Sequence, residues 1–377
     1  MNILINASNL KLGGGIQVAD SICNQLYRFK KHKFIVVLSS YLETTSERIA
    51  NYSNIRVIKY NIKNSFNTLI WGRDNFLDNL VINEKIDCVL TVFGPSRWNP
   101  KVPHLSGFAL SHLVLQNSPY FKQIHGIARL KSIIKLYAIS HAFKRSTKYF
   151  YTENDYISCL LRKKWDSAYI ETITNCYNQI FDSPEKWETI ELPPFSGVTL
   201  LTISANYPHK NLKIGIDIAK ILRKKYPNFI FRFVYTIESD SIYIPSELKE
   251  YFILLGKVEI TQCPNLYMQA DIAFQPTLLE CFTATYPEAM KMKVPIITTD
   301  LEFSRGLCGA AALYYAPLNA EEAAERIIKL SNDEKLKNML VREGIHQLKS
   351  FDTFETRANK IISFCEKITK INQYVSI

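Results

Sequence analysis

The chain has 377 residues, 47% hydrophobic and 21% charged, with 13 Gly and 15 Pro. That composition excludes disordered and fibrous classes and leaves room for two domains of roughly 100–200 residues each. The formal charge of +11, from 46 Lys and Arg against 35 Asp and Glu, gathers at Arg28 to Lys33, Lys131 to Lys148, Arg162 to Lys164 and Arg223 to Lys225. Three readings compete for it: solvated helix faces, which explain most of it, then nucleic acid, then an anionic membrane surface or a diphosphate-carrying substrate. No helix-turn-helix, zinc finger or aromatic RNA-binding strand accompanies it, so no nucleic-acid partner is expected. Eight scattered cysteines, without a C-x-x-C pair or a His at metal-ligand spacing, read as reduced packing thiols.

In chain order, the start MNILINASNL lacks a basic region, a sustained apolar core and a cleavage site, so it predicts a buried first strand instead of a leader. No uncharged apolar run reaches the ~20 residues of a membrane span, and residence in the cytoplasm is expected. Strand-like runs then alternate with helical stretches: Ile3 to Asn6, Phe34 to Leu38, Ile55 to Tyr60, Cys88 to Phe93 and Tyr149 to Thr152. The segment SPEKWETIELPPFSG interrupts the pattern with prolines and charges. The alternation restarts at Val198 to Ser204, with a helix from about Asn211 to Lys225, and continues through Phe229 to Tyr235, Ile253 to Leu255, Ile272 to Gln275 and Val294 to Thr298. From Glu321 to about Lys370 the spacing is helical. The fold expected is α/β, with two Rossmann-like, doubly wound parallel-sheet domains: residues 1–180, a linker at 181–196, residues 197–350, and a C-terminal helix at 351–377 packing back on the first domain. Ligands of such open sheets bind beyond the carboxyl ends of the strands.

Three motifs lie there. Gly13-Gly14-Gly15 follows the first strand and opens a helix, where backbone can approach a phosphate or sugar oxygen closely. It is not G-x-G-x-x-G, no acidic residue sits at the place after the second strand where that fingerprint has one, and a plain strand-to-helix turn is the alternative. Pro208-His209-Lys210-Asn211 follows the strand at Val198. A lysine charge, a histidine donor and free helix amides suit a diphosphate, and an ordinary helix start fits equally. Glu280 and Glu288, eight positions apart in the otherwise apolar ECFTATYPEAM, are the most informative, because an unpaired buried carboxylate is costly and sugar hydroxyls would satisfy it.

The run TLLECFTATYPEAMKMKVPIITTD, continuing to GAAALYYAPLNAEEAAERI, resembles the donor-site segment, with its E-x7-E motif, of the large retaining glycosyltransferase family four, the glycosyl transferases group 1. Gly13 to Gly15 resembles that family's N-terminal glycine loop, TNCYNQIF the segment entering its linker, and SANYPHKNL its phosphate-binding turn. The resemblance implies a GT-B fold whose C-terminal domain holds a nucleotide sugar and whose N-terminal domain holds the acceptor across a central cleft. It implies that Glu280 binds donor-sugar hydroxyls and Glu288 the ribose hydroxyls. The backbone of Phe282, Thr283 and Ala284 would receive the diphosphate, with Gly14, Gly15 and His209 also on the donor, and Lys210 would neutralise the leaving phosphate.

It further implies hexosyl transfer with retention to a glycan or lipid-linked acceptor, of the bacterial cell-surface polysaccharide type. The strip GFALSHLVLQNSPYF would contact the acceptor; there His112 matches the active-site histidine or is an ordinary core or solvated one. No cofactor and no metal are expected: Asp-x-Asp is missing and Asp300-Leu301-Glu302 reads as a helix start. Lys131, Lys135, Lys144, Arg145 and Lys148 could face anionic lipid, which would make the protein peripheral on the inner membrane face. Two departures stand out. Ala205 replaces an arginine common five positions before the lysine, and Cys281 and Thr283 stand where the family favours glycines. They motivate a second reading, a non-catalytic nucleotide-sugar-binding subunit on the same fold.

Overall fold

The computed structural model describes residues 1–11, 13–63 and 67–375. Two compact units divide it. The first comprises Met1–Gln116, Ile124–Asn175 and the chain from Asp352 onward; the second comprises Asn117–Gln123 and Cys176–Phe351.

The first unit is built on seven strands: β1 (Asn2–Ala7), β2 (Lys33–Leu38), β3 (Ile55–Lys59), β4 (Cys88–Thr91), β5 (His104–Gly107), β6 (Tyr149–Thr152) and β7 (Tyr169–Thr172). They pair in the order β3-β2-β1-β4-β5-β6-β7, all parallel, with Ile3 opposite Phe34 on one side and Cys88 on the other. Ile3, Ile5, Val36, Leu90 and Leu105 are wholly buried in the resulting core, which is why the strands carry near-continuous apolar runs and no alternation. The helix Phe354–Val375 adds Ile361, Ile362, Phe364, Cys365 and Ile368 to the same core.

The second unit repeats the design with six parallel strands, β8 (Val198–Thr202), β9 (Phe231–Tyr235), β10 (Phe252–Leu254), β11 (Ile272–Gln275), β12 (Ile296–Thr299) and β13 (Ala312–Tyr315), ordered β10-β9-β8-β11-β12-β13. The two doubly wound parallel sheets expected from the alternation are present. In each, successive strands first run to one side and then jump across the starting strand, so the direction of winding reverses between β1 and β4 and between β8 and β11. At such a reversal the flanking loops diverge and leave a crevice at the carboxyl ends of the strands.

Three strands were not apparent in the sequence. β5 reads HLSG, too short and polar to signal a strand, yet it is central and fully buried. His104 makes that tolerable: its ring nitrogens are 2.9 Å from Thr91 Oγ1 and 3.0 Å from the Ser146 carbonyl, and burial pushes its pKa down to about 4. β7 and β13, YIET and ALYY, are edge strands of four residues.

Two sequence expectations need correction. The helix placed from Asn211 begins instead at Ile214; a 3-10 turn over Pro208–Lys210 and a left-handed Asn211, φ 54°, come first. Arg145, expected to face lipid, turns inward and donates to the carbonyls of Ile70, Thr68 and Arg97 at 2.6, 3.3 and 3.2 Å.

Candidate functional site

The reversal between β8 and β11 brings two loops together. The loop after β8 carries His209 and Lys210 on the turn Pro208–Lys210, and the loop after β11 carries Thr277 to Ala284. Leu278 donates its amide to the His209 carbonyl at 2.8 Å, and Thr277 Oγ1 donates to the same oxygen at 3.4 Å. The loop is held from the other side as well, where Thr299 Oγ1 donates to the Thr277 carbonyl at 2.6 Å. Ser118, on the excursion Asn117–Gln123, donates to the Leu278 carbonyl at 2.6 Å.

On this frame Lys210 Nζ lies 2.5 Å from Glu280 Oε1, and Thr277 Oγ1 donates to the same oxygen at 2.9 Å. The lysine and glutamate side chains are only 17% and 12% exposed. A carboxylate so far withdrawn from water would be costly alone, and here a cation and a hydroxyl compensate it. The ammonium is likewise placed where an incoming anion would compete with Glu280 for it. His209 lies beside it, its ring stacked on Tyr207 with centroids 5.6 Å apart and edge-on to Tyr120 at 6.0 Å. Burial, with the Lys210 charge adding, lowers the His209 pKa to about 4. The ring is neutral at pH 7, so it can donate a hydrogen bond but cannot share the positive charge of Lys210.

Glu288 sits in the first turn of the helix Thr285–Lys291 and is 3% exposed. Burial raises its pKa to about 7, against the opposing pull of a hydrogen bond from Tyr267 Oη at 3.3 Å. Tyr267 comes from a separate helix, Cys263–Met268, and also donates to the Thr285 carbonyl at 3.3 Å. Between the two glutamates, Phe282 packs edge-on against Phe351 at 5.8 Å and Thr283 Oγ1 is 2.9 Å from Thr285 Oγ1. Among the described residues, the amides of Phe282, Thr283 and Ala284 donate to no protein acceptor. Three adjacent amides without partners at the start of a helical turn suit an anion.

The remaining sequence candidates belong to the first unit. Gly13 has φ 72° and ψ −156°, a backbone conformation only glycine adopts freely, and precedes the helix Gly14–Cys23. A Cβ on Gly14 would meet nothing within 4 Å, and one on Gly15 would touch Leu10 and Phe93 at 3.4 and 3.7 Å. The glycine loop therefore stands at the reversal of its own sheet, where Asn9 Nδ2 donates to the Phe93 carbonyl at 2.8 Å. His112 is half-buried on the turn Ser111–Leu113. Asp300 is engaged by Arg305 at 2.5 and 2.7 Å and precedes the helix Glu302–Cys308. No three His, Cys, Asp or Glu side chains gather around a metal-sized site among the described residues.

Sequence reasoning passed over Thr277 and Tyr267. Thr277 lies three positions before Glu280, a spacing that could have signalled a bond to it. Nothing local pointed to Tyr267, whose helix and that of Glu288 meet only in the folded unit.

Two parallel-sheet α/β units of this kind define the GT-B class of fold. Residues 186–347, which contain Lys210, Glu280 and Glu288, match the family described as Glycosyl transferases group 1. Among solved structures, a glycosyltransferase from Rickettsia africae superposes with a TM-score of 0.70 at 16% identity, covering 98% of each chain. HepE from Anabaena, in complex with UDP and glucose, superposes at 0.65 with 13% identity, over 97% of this chain and 100% of that one. WaaG, a glycosyltransferase involved in lipopolysaccharide biosynthesis, gives 0.64 at 14% identity, over 98% and 99%. At these identities the likeness is one of fold. No curated protein sequence matches the chain.

Proposed function

We propose that the protein transfers a sugar from a nucleoside diphosphate sugar to a glycan or lipid-linked acceptor, with retention at the anomeric carbon. The observation that carries this reading is the pairing of Lys210 with Glu280 at the β8–β11 reversal, inside the segment that matches the glycosyl transferases group 1. A diphosphate entering there finds a single ammonium, the neutral His209 ring and the unpartnered amides of Phe282, Thr283 and Ala284. As the phosphate draws Lys210 away, Glu280 is released to accept hydrogen bonds from sugar hydroxyls, and Glu288 with Tyr267 is available to ribose hydroxyls. When the sugar leaves, negative charge grows on the departing phosphate oxygen, and Lys210 offsets it without a metal. The acceptor hydroxyl attacks from the face the diphosphate vacates and its proton passes to that phosphate oxygen, so no strong protein base is needed. Gly14, Gly15 and His112 are assigned to this reaction by resemblance. The complexes of HepE with UDP and with UDP-glucose make uridine nucleotides the first donors to try.

The test is a thermal-shift screen against nucleoside diphosphates and their sugars, followed by product analysis of any donor that binds. A ligand that binds only the native state at a hundred times its Kd raises stability by about 2.7 kcal/mol. No shift with any nucleotide would overturn the reading. Binding without hydrolysis or transfer across a broad acceptor panel would favour the second reading, a non-catalytic binding subunit, which Ala205 in place of the customary arginine supports.

A further inference from the structure

Glu288 is held from two directions, and both lead back to the segment Tyr177–Asp182, just after the chain enters the second unit at Cys176. The first runs through the carboxylate itself. Tyr267 Oη donates to Glu288 Oε2 at 3.3 Å, and the Tyr267 ring packs on Phe181 with centroids 6.0 Å apart. Tyr267 and Phe181 are both buried, so the rings share one close-packed contact from which water is excluded. The second runs through the helix Thr285–Lys291. Lys291 stands three positions after Glu288, which puts the two on neighbouring turns of one face. Its ammonium pairs with Asp182 and lies over the Tyr177 ring, 5.1 Å from the centroid. Tyr177 Oη in turn donates to Asp182 Oδ1 at 3.3 Å. The segment is fixed in its own right. Asn178 Oδ1 accepts the Ile180 amide at 3.0 Å, and Trp187 Nε1 donates to the Ile180 carbonyl at 2.8 Å, which shapes the 3-10 turn Gln179–Asp182.

The Lys291 and Asp182 side chains are 32% and 37% exposed. An ion pair at that exposure adds little to stability, so what it supplies is geometry. The helix it pins is only two turns long, and its position decides where the Glu288 oxygens lie. We propose that Phe181 and Asp182 are positioning residues for the ribose site: through Tyr267 and Lys291 they hold the Glu288 carboxylate where ribose hydroxyls can reach it. This rests on the assignment of Glu288 to the ribose made above.

Titration calorimetry of the full chain with uridine diphosphate, guanosine diphosphate and the 2′,3′-dideoxy form of each tests this. The parent protein should bind one of the two diphosphates more tightly than its dideoxy form. Asp182→Ala and Lys291→Ala should each weaken the ribose form by about tenfold, the scale of a small displacement at a positioned group, and leave the dideoxy form unchanged. Asp182→Lys combined with Lys291→Asp keeps the ion pair and should restore the parent's preference. Phe181→Leu should also move the pH at which affinity rises upward, because Glu288 loses the hydrogen bond that opposes the effect of its burial. Asp182 and Lys291 are partly exposed, so circular dichroism should show their variants folded, and these suffice if Phe181→Leu does not fold. Variants that bind the ribose form like the parent, or that lose both forms equally, would overturn the proposal and leave the donor reading standing. Equal affinity of the parent for the two forms would take Glu288 off the ribose and the proposal with it. Binding of neither diphosphate by the parent would overturn both.

Discussion

Lys210 and Glu280 form a 2.5 Å ion pair although they leave different strands and lie far apart in the chain. They meet because β8 and β11 are hydrogen-bonded neighbours, with Leu201 opposite Ala273, and because the His209 carbonyl accepts from Leu278 and Thr277. The pair couples stability to chemistry: each side chain compensates the other until a ligand takes one of them.

Removing one partner strands the other charge in a largely desolvated position. Lys210→Met or Glu280→Gln alone should destabilise the second unit by about 3 kcal/mol, whereas the double variant should recover part of that loss. Chemical denaturation of the three variants measures the coupling. Strict additivity would show that the pair has no mutual stabilisation.

Sugar transfer separates the same two residues from ordinary surface charges. Glu280→Ala and Lys210→Ala should each lower kcat by about a hundredfold to a thousandfold, the scale of losing a preorganised charge at the reacting group. Turnover unchanged by Glu280→Ala would remove it from the site.

Glu288 gives a pH signature. Its folded pKa, about 7, stands above the ordinary carboxylate value. The neutral, buried form favours folding, so this contribution is fully present below about pH 4.5 and is lost as pH rises to about 7, a change of up to about 3 kcal/mol. Glu153, buried in the first unit and also raised to about 7, acts in the same direction. His104 and His209, both lowered to about 4, act in the opposite one, costing stability as pH falls from about 6.5 to about 4. Glu288→Gln should therefore flatten the decline between pH 4.5 and 7 in the unfolding of the second unit. Nucleotide affinity should rise as pH passes through about 7 in the parent protein and stay level in the variant, as titration calorimetry would show.

The glycine loop allows fold and ligand to be separated. Gly13→Ala forces a side chain into φ 72° and should cost about 1–3 kcal/mol of stability. A side chain at position 14 meets nothing, so Gly14→Ala should leave the thermal midpoint unchanged. Any loss of donor affinity in Gly14→Ala, read by calorimetry, would then belong to the ligand and not to the fold.

Arg145 should prove structural. Its guanidinium satisfies three carbonyls that otherwise lack this donor, and Arg145→Ala should destabilise the first unit by about 2 kcal/mol. Chemical denaturation measures the loss. An unchanged midpoint would return Arg145 to the surface.

The sequence by itself determined both parallel sheets, because strands buried on two faces must be apolar throughout, as at Ile3 to Ile5 and Leu200 to Leu201. It also determined the chemistry on offer, since Glu280 and Glu288 are conspicuous in an apolar run. Tertiary structure decided what compensates those carboxylates. Lys210 and Tyr267 arrive from another loop and another helix through strand order, which is set by long-range pairing that leaves no mark on local spacing, whereas Thr277 comes from the loop of Glu280 itself. It alone revealed β5, whose polar residues are buried because Thr91 and Ser146 bond His104. It also assigned the basic residues between 129 and 148 to different surroundings: the local sequence makes them all cations, and only packing turns Arg145 inward while Lys131 and Lys135 remain exposed.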